Sequence, residues 1–162
     1  MLFGNPANFA VEIHHEPMAP KWKGFGRMCV WIQGLMIGDP NEVHCSLFHA
    51  VKRITEIAVR LSEQWDERFT GHTAEEIFAW IDAILYSGEI AASDTVNKFD
   101  FLTNTGEQFD DFKSFIYCTP DGLVCIPFQG RDAIVRTPSC KQSEFRAVAS
   151  ELEQWFKVQI AV

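Results

Sequence analysis

The sequence lacks any apolar run approaching the roughly 18 residues that a membrane-spanning helix requires. It is short of positive charge. Fourteen Lys and Arg face 22 Asp and Glu, for a net charge of −8 and a pI near 5.0. Direct nucleic-acid binding is therefore not expected, because holding a phosphate backbone needs a basic surface. A basic protein partner remains open. The five cysteines, Cys29, Cys45, Cys118, Cys125 and Cys140, include no CxxC pair and are odd in number. That usage implies reduced thiols, mostly buried as small apolar side chains. Enzyme signatures are missing too: no Gly-x-Ser-x-Gly elbow, no protease cysteine signature, no P-loop and no dinucleotide fingerprint. The sequence makes no positive case for catalysis or for a cofactor. The first residues, Met1-Leu2-Phe3-Gly4-Asn5-Pro6, have no basic segment leading into an apolar one. No secretory signal is expected, and the expected location is the cytoplasm.

What is present suits one folded domain spanning 1–162. Hydrophobic residues at 47% and charged residues at 22% place the chain among globular proteins. The 14 Phe and 5 Trp demand a core or an interface to occupy.

The first third reads as β. Phe9, Val11 and Ile13 alternate with Ala10, Glu12 and His14, the period of a half-buried strand. The runs Arg27–Ile32 and Leu35–Gly38 flank Gln33-Gly34 and read as a hairpin, since Gly34 can take the positive φ of a tight turn. The middle third reads as two helices. Asp39, with Pro40 and Glu42 after it, is one candidate N-cap; Ser46 is a competing start. Leu47, Val51, Ile54, Ala58, Leu61 and Trp65 form a stripe at helical spacing. Thr73 with Glu76 forms a second capping box before Ile77, Phe78, Ile81, Ile84 and Leu85, and Ser87-Gly88 ends that helix. A short strand is expected within Val96–Leu102. The runs Phe112–Tyr117 and Leu123–Phe128 join through Thr119-Pro120-Asp121-Gly122. Pro120 cannot donate an N–H, which favours a register with Tyr117 opposite Cys125 and Cys118 opposite Val124 over one that faces Cys118 with Cys125. Ile116, Cys118, Val124, Ile126 and Phe128 then share one apolar face. Ser139 is the expected cap of a last helix striped by Phe145, Val148, Ala149, Leu152, Trp155 and Phe156. The order implies an α+β fold: a largely antiparallel sheet built from hairpins, packed against two central helices and a C-terminal helix.

Metal chemistry has weak support. Cys45 and His49 are four apart and would share the exposed face of a helix, with no third or fourth ligand nearby in sequence. The paired carboxylates Glu75-Glu76 sit in a first helical turn, where they stabilise the dipole. Charge is unevenly spread. Residues 1–88 carry −4 and residues 112–162 carry +1, while 89–111 alone carry −5. There Glu89, Asp94, Asp100, Glu107, Asp110 and Asp111 face only Lys98. Such a stretch is either a solvated loop or a docking surface that steers a basic partner. Phe99, Phe101, Phe109 and Phe112 lie beside it. They suit an interface core, though packing a sheet on helices is the commoner use of such residues.

Three segments resemble the immunity-protein 42 family of bacterial polymorphic toxin systems: Gly4-Asn5-Pro6 with Phe9-Ala10-Val11-Glu12; Gly26-Arg27-Met28-Cys29-x-Trp31-Ile32-x-Gly34 running on to Ile37-Gly38-Asp39; and Gly106-Glu107-x-Phe109-Asp110-Asp111-Phe112. The resemblance implies a small cytoplasmic protein that binds a cognate toxin domain and blocks it, without catalysis or cofactor. An acidic inhibitor suits a basic nuclease toxin, whose nucleic-acid surface it can occupy. The charged contact is then expected at Asp94, Asp100, Glu107, Asp110 and Asp111. The alternatives are a non-inhibitory adaptor or secretion chaperone for an effector, and a small enzyme without a recognisable motif.

Overall fold

The computed structural model describes residues 1–16, 23–43, 45–86 and 96–159. Every strand pairing among them is antiparallel, and three helices pack on the sheets, so the fold is α+β. The largest sheet runs β1 (Leu2–Asn5), β2 (Phe9–His15), β3 (Phe25–Ile32) and β4 (Leu35–Ile37); β5 (Cys45–Ser46) pairs with the start of β3. Phe9, Val11 and Ile13 lie opposite Ile32, Val30 and Met28, and all six are sealed from solvent. Gln33 and Gly34 both take positive φ, 51° and 76°, which matches a two-residue turn to the twist of the flanking strands. β1 has no alternating pattern to reveal it, since only Phe3 packs inward.

α1 (Phe48–Val59) buries Ala50, Val51, Ile54 and Ile57. Neither expected cap starts it. Asp39 accepts the Asn41 N–H at 2.8 Å, which closes a local turn. Ser46 is in β5, opposite Phe25. α2 (Ala74–Tyr86) has the expected capping box: the Thr73 N–H donates to Glu76 Oε2 at 2.8 Å and the Glu76 N–H to Thr73 Oγ1 at 3.2 Å. Its expected end at Ser87-Gly88 lies outside the described residues. α3 (Gln142–Gln159) buries Phe145, Val148, Ala149 and Leu152 against α1, β1 and β2. Ser139 does not cap it. That residue pairs with Cys125, and Glu144 Oε2 instead accepts the Lys141 N–H at 2.9 Å.

The second half is more broken than its apolar runs suggest. Phe112–Tyr117 divides into β6 (Lys113–Ser114) and β7 (Tyr117–Cys118); Leu123–Phe128 divides into β8 (Leu123–Cys125) and β9 (Phe128–Gln129) around Pro127. β10 (Val135–Arg136) and β11 (Ser139–Lys141) then add to β9 and β8. The segment 96–102 is no regular strand. It forms one 3₁₀ turn, Asn97–Phe99, and a single bridge between Asp100 and Phe115. The reason lies in α1: Arg53 donates to the carbonyls of Asn97, Lys98 and Asp100 and so closes the turn.

The β7–β8 hairpin has the register that Pro120 favours, Tyr117 opposite Cys125 and Cys118 opposite Val124. It stands between two apolar clusters. Ile116, Cys118, Val124, Ile126 and Phe128 join β2, β3, α1 and α3. Phe115, Tyr117 and Cys125 join α2, Phe69 and Phe99 on the other side. Strand alternation therefore sends Cys118 and Cys125 to opposite faces, and all five cysteines are unpaired.

Candidate partner-binding face

Two loops build the candidate site. Gly38–Val43 follows β4, and Gly106–Asp111 precedes β6. The Asp39 N–H donates to the Gln108 carbonyl at 2.8 Å, which ties them together. Close approach depends on Gly38, whose φ is 105°; a Cβ there would stand 2.8 Å from the Phe109 ring. Phe109 itself is fully buried and anchors the second loop in the core.

The two loops supply five carboxylates in two adjoining sets: Glu42, Glu107 and Asp110 near Cys45, and Asp39 and Asp111 on Arg131. Neither loop contains a lysine or arginine. Glu42, Glu107 and Asp110 surround Cys45, whose thiol is pushed up mainly by burial and further by these three charges. Asp111 is ion-paired with Arg131, which holds its carboxyl below the usual range; the same guanidinium lies 3.9 Å from Asp39. Lys98, the one base of 89–111, does not neutralise the face. Its ammonium donates to the Glu63 and Trp65 carbonyls at 2.9 and 3.3 Å.

The residues expected from sequence thus separate. Glu107, Asp110 and Asp111 come together and are exposed. Asp94 lies outside the described residues. Asp100 is only partly exposed, with one carboxylate oxygen shut off from solvent, and burial raises its carboxyl. Of the four neighbouring phenylalanines, Phe99, Phe101 and Phe109 are wholly buried, and Phe112 alone is partly open. Asp39 and Glu42 read as helix-capping residues in the sequence; in the structure the loop that carries them supplies two of the five carboxylates of the face.

The Cys45–His49 metal pair does not form on a helix, because Cys45 is a buried β5 residue. It sits instead with Glu42 and Glu107, their donor atoms within 4.8 Å of one another. Three donors, two of them solvent-washed carboxylates, fall short of the closed four-donor set of a structural zinc site.

Beside the acidic loops runs a groove of about 510 Å³ lined by Met36, Asp39, Asp111, Phe112, Phe128 and Arg131, among others. Apolar surface next to a charged rim is what a protein interface uses.

Compared with known proteins, the sequence matches the family of immunity protein 42 across residues 1–155. The chain belongs to that family. It is an immunity protein, and its partner is a cognate toxin. The fold also matches the crystal structure of CdiI from Burkholderia dolosa AUO158, with a TM-score of 0.68 and 12% identity, over 96% of this chain and 99% of that one. No curated protein matches the sequence. Family membership favours a non-enzymatic role for the immunity protein. No helix among its described residues is long and apolar enough to cross a membrane.

Proposed function

We propose that the immunity protein neutralises its toxin by docking the two-loop acidic face onto a basic surface of the toxin domain, a nuclease's nucleic-acid-binding surface being the expected target. The supporting observation is the convergence of Asp39, Glu42, Glu107, Asp110 and Asp111 in two tied loops that contain no base. Such a cluster steers a basic partner, and a nuclease must present a basic surface to hold its substrate. The neighbouring groove supplies the apolar contact that slow dissociation needs.

The test uses the cognate toxin domain. Glu107→Lys with Asp110→Lys should slow association by about tenfold at low salt and flatten its salt dependence. Wild-type association by that variant would sink the placement. Co-expression separates inhibition from chaperoning, since an inhibitor abolishes the toxicity of the domain and an adaptor leaves it intact.

A further inference from the structure

Arg131 is the point of the acidic face that its own fold leaves unexplained. Its side chain is 74% exposed, and its partners are Asp111 and, at 3.9 Å, Asp39. The turn that carries it is held by other bonds. The Ala133 N–H donates to the Gly130 carbonyl at 3.0 Å, and Gln129 Nε2 donates to the Ala133 carbonyl at 2.8 Å. Asp132 accepts the Ile134 N–H at 3.2 Å and pairs with Arg136 at 2.5 Å. Asp39 and Asp111, in contrast, come from different loops and line the same groove as Phe112. Two carboxylates set for one cation, beside an aromatic ring, are a receptor for a guanidinium or ammonium whose alkyl stem lies on the ring.

We infer that the groove receives a cationic side chain of the toxin, and that Arg131 is an internal stand-in which this side chain displaces from Asp39 and Asp111. The inference rests on the acidic face being the docking surface and adds the anchor that surface would use. An exposed ion pair holds its partners weakly, so displacement costs little. Arginine in a pocket beside aromatic surface is also a recurrent source of binding energy at interfaces. Charge complementarity selects the occupant: of the charged residues lining the groove, Asp132 is paired with Arg136, while Asp39 and Asp111 share the single guanidinium of Arg131, which leaves a carboxylate in excess.

The test titrates the folded protein with Nα-acetyl-arginine N-methylamide, followed by amide NMR, with the norleucine analogue as the neutral probe. In Arg131→Ala, saturable shifts should appear at residues 39–41 and 111–112, with affinity at least about threefold above wild type. They should vanish when Asp39→Asn and Asp111→Asn are added, and the neutral probe should give none. No saturable shift in Arg131→Ala, or shifts that persist in the triple variant, would overturn the inference. So would a large loss of melting temperature in both Arg131→Ala and Arg131→Gln, since Arg131 would then be structural. With the toxin domain, Arg131→Ala should dissociate more slowly than wild type. Faster dissociation would make Arg131 a direct contact and also overturn it. If the probe binds as expected while Glu107→Lys with Asp110→Lys leaves toxin association unchanged, the docking reading fails and the groove's chemistry stands.

Discussion

Gly38 couples the stability of the fold to the shape of the acidic face, and replacing it with alanine tests both. At φ 105° an L side chain meets backbone strain of roughly 1–2 kcal/mol. The added Cβ would also lie 2.8 Å from Phe109 Cε1 and 3.2 Å from the Met28 carbonyl oxygen. Phe109 is fully enclosed and cannot retreat into solvent, so overpacking adds about 1–3 kcal/mol. Together Gly38→Ala should cost roughly 2–5 kcal/mol. In a chain of 162 residues each kcal/mol lowers the melting temperature by about 2–4 °C, which gives a fall of about 4–20 °C. Gly71→Ala is the control: its φ is 82°, but no atom stands within 4 Å of the new Cβ, so only the backbone cost of roughly 1–2 kcal/mol applies. Calorimetry on both variants separates strain from crowding. Adding Phe109→Leu to Gly38→Ala should recover part of the loss, with a coupling of about 0.5 kcal/mol or more. Equal melting temperatures for Gly38→Ala and Gly71→Ala, with no coupling to Phe109, would refute the claim that the two loops meet through this contact.

Buried titratable groups lead to two more predictions. Burial raises the Asp100 carboxyl above its ordinary 3.8, so folding disfavours its charged form relative to the unfolded chain. The contribution of Asp100 to stability should therefore fall as pH rises from the ordinary carboxylate range through the raised folded value, against the opposite trend of lowered carboxyls such as Asp66, Asp111 and Asp132. Asp100→Asn should be more stable than wild type at pH 7 in urea unfolding, with a gain that shrinks on acidification; a gain independent of pH would contradict this cause. Burial pushes the Cys29 and Cys140 thiols up to about 12, so neither forms thiolate near neutral pH. With a thiol-specific disulfide reagent at pH 8, mass spectrometry should find both unmodified in the native protein and modified after denaturation. Rapid native labelling of either would show that its cluster opens readily.

Local chemistry makes much of the fold legible in the sequence. The Thr73–Glu76 capping box, the Gln33-Gly34 turn and the Pro120 register each depend on residues within a few positions of one another, and each is present. Alternation along Ile116–Cys118 and Val124–Ile126 even indicates which face meets the larger core. What the sequence conceals depends on distant partners. Asp39, Pro40 and Glu42 satisfy every local rule for a helix start. The chain there instead follows the Gln108 carbonyl and the Gly38–Phe109 contact, both contributed by a segment some 70 residues away in sequence. Val96–Leu102 has the composition of a strand, but Arg53 of α1 takes its carbonyls and closes a turn. The same long-range ties decide the candidate site. The charge excess of 89–111 is visible in the sequence, but Asp100 is half-buried in a turn whose carbonyls Arg53 binds, and Gly38 lets the loop of Asp39 and Glu42 approach. The acidic face is thus a product of tertiary contact between two loops. For that reason Gly38→Ala, which changes no charge, should slow toxin association if the loops separate, just as charge reversal at Glu107 and Asp110 should.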